Sequence, residues 1–370
     1  MTEPYDPFAG IPEGSRVMVA FSGGVDSSVA AYLCKEAGFE VTAVTMSLPG
    51  PERFQGERAV AAAEKLGIPL DVLDLSREFE DVVMRRTWEE YAQGRTPNPC
   101  ALCNPAFKFG KLMEFAKEKN CAALATGHYA VLLKQPDGTG SVLRKGVCAE
   151  KDQSYFLFGL TPEQLSFACF PLGAMSKVRV RELARSLGLP NADAEESQDA
   201  CFAPRDGSNM AEMLRRHFHG PVRTGDFVST DGRVLGKHSG IHAYTIGQRK
   251  GTGVAMGTPA YVLRIDAERQ TVVLTRKNED LLSRTVLLDP PHILHEAYRG
   301  LRHFECSVKI RYRSRAVPAE ATLTDSGSCR LVFQDPQRAV TPGQAAVFYD
   351  KETLIGGAWI RSAEPFHKED

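Results

Sequence analysis

Two groups of residues have the types and spacing to do chemistry. The first is the string Ser22-Gly23-Gly24-Val25-Asp26-Ser27-Ser28, which follows an apolar run at Arg16 to Phe21 and precedes a helical stretch. Two glycines let the backbone turn tightly and expose consecutive N–H groups, the serines add hydroxyl donors, and the helix start adds partial positive charge. This is an anion cradle. It lacks the lysine of G-x-x-x-x-G-K-[ST] and the third glycine of G-x-G-x-x-G, so it is neither the common nucleotide-triphosphatase loop nor a dinucleotide fingerprint. Residue types alone give phosphate binding and no reaction.

The second group is sulfur. Gly94 to Pro105 (GRTPNPCALCNP) stiffens a loop with three prolines and delivers Cys100 and Cys103 to a predicted helix start, with Asn104 as N-cap and Pro105 as first helical residue. Phe109, Leu112, Met113 and Ala116 then give the apolar face. On that reading Cys103 sits just before a helix N-terminus with Lys108 nearby, which lowers a thiol pKa from roughly 8.5 and suits a nucleophile. A capping loop that carries small apolar cysteines explains the same residues. Cys201 lies in the polar stretch Ser197 to Phe202 (SQDACF), while Cys34, Cys121, Cys148, Cys169, Cys306 and Cys329 sit in apolar or strand-like text. A zinc site lacks a second C-x-x-C, and the pairs His217/His219 and His238/His242 are poor substitutes. Cys100, Cys103 and Cys201 could instead hold an iron–sulfur cluster with one iron open to substrate sulfur, and the sequence leaves this open.

Elements must hold these groups in place. Arg16–Phe21, Val41–Met46 and Leu70–Leu75 read as strands, and Ser28–Ala37 and Glu57–Leu66 as helices, which predicts a doubly wound parallel α/β domain. A helix over Glu78 to Ala92 and a strand at Ala122 to Thr126 follow, and Lys177 to Leu187 reads as a further helix. From Pro221 onward short, glycine-punctuated strands suggest small β domains, the last a barrel. At roughly 150 residues per domain, 370 residues allow two or three domains. Ordinary apolar content (43%) and charge (25%) exclude a disordered or fibrous chain. The acidic, proline-bearing first 14 residues lack a signal-peptide pattern and no apolar run reaches membrane-spanning length, so a cytoplasmic protein without a membrane partner is expected.

The phosphate string resembles the pyrophosphate loop of the ATP pyrophosphatase superfamily, which implies that Ala20, Phe21, Ser22, Gly23, Gly24, Val25, Asp26 and Ser27 hold ATP phosphates. It also implies that Asp26 helps place Mg²⁺ and that Met46 lies near adenine. The whole chain resembles the bacterial tRNA-specific 2-thiouridylase family through an ordered set of motifs. They are SGGVDSS (22–28), GRTPNPCALCN (94–104), ATGHYA (125–130), KDQSYFL (151–157), FPLG (170–173), SQDACF (197–202), HAYTIGQRKG (242–251), KIRYRS (309–314) and TPGQAAVFY (341–349).

The resemblance implies a catalytic domain over 1–204, a central tRNA-binding or connecting domain over 205–284 and a C-terminal β-barrel over 285–370. It implies that Cys201 carries sulfur as a persulfide and that Cys103 is the nucleophile working with it, the two also able to form a transient disulfide. Gly127 joins the nucleotide site; Asn98, Pro99 and the residue at Cys100 line the target-base pocket. His128, Lys151, Asp152, Gln153, Arg311, Tyr312 and Gln344 contact tRNA. Many members have Asp where this chain has Cys100, so no carboxylate role carries over there; the segment between strand two and the Glu57 helix is also shorter than the family's.

The implied activity is ATP-dependent replacement of O2 of the wobble uridine in a tRNA anticodon loop by sulfur from a persulfide donor protein. An adenylating ligase of the same superfamily, acting on a small carbonyl compound, is the competing expectation, but it leaves the β domains and both cysteines unexplained. So is the same thiolation run through a [4Fe-4S] cluster on Cys100, Cys103 and Cys201. Forty-five Lys and Arg against 46 Asp and Glu give a net charge of -1, so RNA binding calls for local basic surface rather than a global field. Arg302, Lys309, Arg311, Arg313 and Arg315, with Phe304 and Tyr312 between them, read as an alternating basic strand; a solvated edge strand explains it equally.

Overall fold

The computed structural model describes residues 5–49, 56–134, 140–194, 200–204, 206–254 and 257–366. The chain begins with β1 (Arg16–Ala20), α1 (Val25–Glu36), β2 (Glu40–Ser47), α2 (Gly56–Leu66) and β3 (Leu70–Asp74). A helical run then passes from α3 (Ser76–Phe79) through a π turn (Glu80–Met84) into α4 (Arg85–Ala92). A second joins α5 (Pro99–Cys103), a π segment (Asn104–Lys111) and α6 (Leu112–Glu118), followed by β4 (Ala123–Thr126). Next come the hairpin β5 (Ala130–Lys134) and β6 (Ser141–Lys145), then α7 (Pro162–Phe167), β7 (Ala168–Cys169) and α8 (Lys177–Ser186).

Strands β3-β2-β1-β4-β7 form one wholly parallel sheet, as expected of a doubly wound domain. Period-two alternation explains its two cores. Val17 and Val19 of β1 face the layer of α1, α2 and α8, whereas Met18 between them faces Phe79, Phe107, Phe109 and Leu112 on the other side.

The segment before Cys103 departs from expectation. The helix starts at Pro99, not Pro105: the Asn98 side chain caps it by accepting a hydrogen bond from the Ala101 amide at 3.3 Å, and Pro99 occupies the first turn. Pro105 therefore falls inside a continuing helix. A proline there removes an N–H, and the chain passes it in the wider π geometry.

Beyond residue 206, α9 (Met210–His217) leads to a four-stranded sheet. Its strands are β8 (Gly225–Ser229), β9 (Val234–His238), β10 (Tyr261–Asp266) and β11 (Thr271–Thr275), in the order β10-β11-β8-β9. The last part contains β12 (Leu282–Leu288), β13 (His292–Ile293), β14 (His303–Lys309), β15 (Val317–Leu323), β16 (Cys329–Arg338), β17 (Ala345–Asp350) and β18 (Thr353–Ala363). Six of these close as an antiparallel barrel, β12-β16-β15-β14-β17-β18, through pairing of β12 with β18. The expected basic strand stops at Lys309. Arg311, Arg313 and Arg315 lie on the turn that follows, because β14 ends there and β15 begins only at Val317.

Barrel and parallel-sheet layers share a core. The β5–β6 hairpin adds to the edge of the barrel sheet at β18, and Ala345, Val347, Tyr349 and Leu354 pack in the same cluster as Phe107 and Phe158. Tyr155, fully buried, donates its hydroxyl to the Ala345 carbonyl at 3.0 Å, and the Ser154 and Tyr349 hydroxyls lie 3.1 Å apart. No helix among the described residues is long and apolar enough to cross a membrane. Tyr155→Phe leaves a buried carbonyl unpaired and is expected to cost about 1–2 kcal/mol, read as a lowered midpoint in urea unfolding without a change in slope.

Candidate active site

The phosphate string lies in the bend between β1 and α1. Gly24 caps α1 without a side-chain hydrogen bond, so side chains do not cover the first-turn amides. Gly23 has φ +70°, and a Cβ there would stand 2.5 Å from the Ala59 nitrogen; only glycine fits against α2. The Asn191 side-chain amide donates to the Gly23 carbonyl at 2.6 Å and to the Ser28 hydroxyl at 3.0 Å, fixing the loop from behind. Gly127, at the end of β4, approaches so closely that a Cβ would lie 2.9 Å from the Ser27 nitrogen. Its place beside the loop thus has a steric reason.

Asp26 is fully engaged. Lys177 Nζ lies 2.7 and 2.8 Å from its two carboxylate oxygens, and the Tyr129 hydroxyl donates to it at 2.7 Å. None of Lys177, Tyr129 and Asn191 is among the site residues read from the sequence: Lys177 and Asn191 come from distant segments without a local motif, and Tyr129 lies in the ATGHYA motif beside the two residues singled out there, Gly127 and His128.

The loop opens into a cleft of about 2260 Å³ that also receives Met46, Asn98, Pro99, Cys100, Cys103, Gly127, His128, Lys151, Asp152, Gln153, Cys201, Tyr312 and Gln344. Arg311 stands outside this lining; it is exposed, and its guanidinium donates to the Arg338 carbonyl at 3.2 Å. Arg313 and Arg315 from the same turn do line the cleft.

All three candidate thiols reach the cleft, and burial raises the pKa of each. Burial pushes Cys103 up to about 12 despite the opposing pull of Lys108, and Cys201 up to about 11, with Cys100 adding to its rise. Cys100 is raised by burial as well. The expectation of a lowered Cys103 pKa is thus overturned: with the helix starting at Pro99, the thiol sits beyond the first turn, buried against Phe79 and Phe107. Cys201 is exposed as a residue, yet the cleft walls desolvate its sulfur. No three His, Cys, Asp or Glu side chains among the described residues meet at a point that could hold a metal ion, so the three thiols do not fit the expected cluster. Ser197, Gln198 and Asp199 of the SQDACF motif, and Glu195 and Glu196 before it, lie outside the described residues.

Several residues that the resemblance places at RNA also hold protein groups in the cleft lining. Asp152 is 4% exposed; one carboxylate oxygen accepts from the Gly146 and Ser154 amides at 3.1 and 3.0 Å, and the other lies 3.7 Å from Lys309. Gln153 accepts from the Tyr129 amide at 3.0 Å and so braces the Gly127–Tyr129 turn. His128 is buried with Nδ1 2.7 Å from the Thr126 hydroxyl, and burial holds its pKa well below the usual value, so it presents a neutral ring. Gln344 donates to the Thr96 and Pro97 carbonyls at 3.1 and 3.0 Å, clamping the loop that leads to the thiols. Phe156 and Tyr312 meet at the cleft wall with centroids 4.5 Å apart and planes tilted by 39°, offering aromatic surface to a base. Asn104, read in the sequence as a cap, lines the cleft beside Cys103 and donates to the Phe156 carbonyl at 3.0 Å.

Comparison with known proteins agrees with this arrangement. Residues 15–205 match the model of the tRNA methyl transferase HUP domain, 212–276 that of the tRNA methyl transferase PRC-barrel domain, and 283–360 that of the aminomethyltransferase beta-barrel domain. Proteins named tRNA-specific 2-thiouridylase are similar along nearly the whole chain. The one from Pelobacter propionicus is 42% identical over 365 residues, covering 94% of this chain and 98% of that protein. Those from Syntrophotalea carbinolica and Acetivibrio thermocellus are 42% and 39% identical, each over 94% of this chain and 99% of the relative. Among solved structures, NMN synthetase from Francisella tularensis is similar at 18% identity and a TM-score of 0.34, covering 57% of this chain and 80% of that one. On ordered motifs, domain matches and near-complete coverage, the chain belongs to the tRNA-specific 2-thiouridylase family.

Proposed function

We propose that this protein is an ATP-dependent tRNA sulfurtransferase that converts the wobble uridine of an anticodon loop to 2-thiouridine. The observation that carries the reading is that the phosphate loop, the thiols Cys103 and Cys201 and the Phe156–Tyr312 wall share one cleft. Uracil O2 is a poor leaving group on a stabilised ring. Its attack on the α-phosphorus of ATP forms an O–P bond and expels pyrophosphate, after which AMP departs readily. Ser22 to Ser27 bind the phosphates, and Met46 lies toward adenine. Asp26 is the loop's one carboxylate and would have to exchange Lys177 for Mg²⁺ to help hold it, a hard cation that takes one or two carboxylates plus phosphate oxygens. Bound Mg²⁺ supplies charge neutralisation on the phosphates.

Sulfur arrives as a persulfide on Cys201 from a donor protein. Its terminal sulfur attacks C2, and AMP leaves with the original oxygen. The Cys103 thiol then attacks the Cys201 sulfur, forming a Cys103–Cys201 disulfide and leaving the transferred atom on C2. An external dithiol reductant restores both thiols. The anticodon base is already single-stranded, so its entry costs little unstacking. Residues 1–204 act as the catalytic domain, 205–284 as a connecting, tRNA-facing domain and 285–370 as the barrel, in a cytoplasmic enzyme.

Cys103→Ser and Cys201→Ser are each expected to abolish thiolation while ATP affinity stays within about twofold. Full turnover of either variant with a persulfide donor would remove that residue from the reaction. Because burial raises both thiols, only a small thiolate fraction exists at neutral pH, and it grows as pH rises toward about 11 and 12. Alkylation of Cys103 and Cys201 by iodoacetamide, followed by peptide mass analysis, should therefore still be accelerating at pH 10. A plateau by about pH 9, as for an ordinary thiol, contradicts the burial geometry.

A further inference from the structure

A cation stands among the thiols that the sulfur step as written does not use. Lys108 lies five residues after Cys103, on the π segment Asn104–Lys111, and lines the cleft together with Cys100, Cys103 and Cys201. In an α-helix, residues three and four apart share a face. In a π turn the hydrogen bond spans five residues, as the bond from the Leu112 amide to the Phe107 carbonyl shows. The wider turn carries the fifth residue back toward the starting face, so the widening at Pro105 turns Lys108 toward the side of Cys103.

Lys108 differs from an ordinary surface lysine. It is half-buried, it sits in sequence between the core residues Phe107 and Phe109, and among the described residues no carboxylate pairs with it. Lys111, farther along the same segment, instead forms an exposed pair with Glu114 at 3.1 Å. The charge of Lys108 opposes the rise that burial gives Cys100, Cys103 and Cys201, and it favours the neutral ring of His128. One ammonium thus acts on three thiols and a histidine from three separate stretches of chain.

Enclosure disfavours anionic sulfur, yet the transfer needs it twice. The terminal sulfur of the Cys201 persulfide must attack C2, and the Cys103 sulfur must then attack that of Cys201. A nearby ammonium lowers the cost of both anions without gaining or losing a proton, and one already neutralised by a carboxylate would do so less well. We propose that Lys108 is a positioning residue of the sulfur step, acting through the two thiols: its ammonium stabilises anionic sulfur on Cys201 and Cys103. The inference rests on the reading of these cysteines as the sulfur-handling pair.

Full-length Lys108→Gln and Lys108→Arg test it by iodoacetamide alkylation from about pH 7 to about pH 10, each cysteine being followed by peptide mass analysis. Cys306, in the barrel and outside the cleft, serves as the internal control. Glutamine is expected to slow alkylation of Cys103 and Cys201 by about 3–10-fold at about pH 8 and to move both profiles to higher pH, with Cys306 unchanged. Single-turnover thiolation with a persulfide donor should fall by about 10–100-fold while ATP and tRNA affinities stay within about twofold, and arginine should restore most of the loss. Unchanged alkylation of Cys103 and Cys201 in Lys108→Gln overturns the proposal. So does an equal loss in Lys108→Arg, which marks a packing residue, or a loss of ATP or tRNA affinity as large as the loss of thiolation, which marks a substrate contact. Native protein that binds ATP and tRNA but transfers no sulfur overturns the reading of the cysteines, whereas the alkylation profiles decide the effect of Lys108 separately.

Discussion

The arrangement depends on the contact by which the barrel grips the loop before the thiols. Gln344 donates to two successive carbonyls, Thr96 and Pro97, while the Thr96 amide donates back to the Pro342 carbonyl at 2.9 Å. Gly343 between them has φ +90°, and a Cβ there would fall 2.8 Å from the Thr96 oxygen. The loop is thus pinned from a segment almost 250 residues away. Asn98 and Pro99, the next residues, start the helix that carries Cys100 and Cys103, so the position of the thiols is set by the barrel as much as by the parallel sheet.

Other polar side chains near the cleft also brace protein: Asp152, Gln153 and Gln344 each bond backbone groups, and Asp152 faces Lys309 as well. Buried polar groups of this kind are worth little net when satisfied and costly when orphaned, so they define one geometry rather than add affinity. Basic residues lining the cleft include Lys151, Arg313 and Arg315, while Lys309 is enclosed beside Asp152. A chain of net charge -1 can thus present a local positive surface. Burial has a parallel effect on sulfur: it raises the pKa of Cys103 and Cys201 and so favours their thiol form.

Much of this was legible in the sequence where the signal is local. The glycine and serine string, the β1–α1 and β2–α2 alternation and most barrel strands each follow from neighbouring residues. The start of the Cys103 helix was not, because Asn98-Pro99 and Asn104-Pro105 carry the same N-cap signature, and only packing selects the first. The membership of the β5–β6 hairpin in the barrel sheet was hidden for a related reason: strand pairing across 200 residues leaves no mark on either strand. Asn191, Tyr129 and Lys177 escaped notice because a residue that supports a loop from another element needs only one correct atom, not a pattern.

The central claim is that one cleft couples ATP cleavage to sulfur insertion. Its most direct test is mass analysis of tRNA incubated with the protein, ATP, Mg²⁺ and a persulfide donor, with AMP measured alongside. The account predicts a single oxygen-to-sulfur exchange at the wobble uridine, accompanied by an equal amount of AMP. Unmodified tRNA, with AMP formed only when a small carbonyl acceptor is supplied, would contradict it.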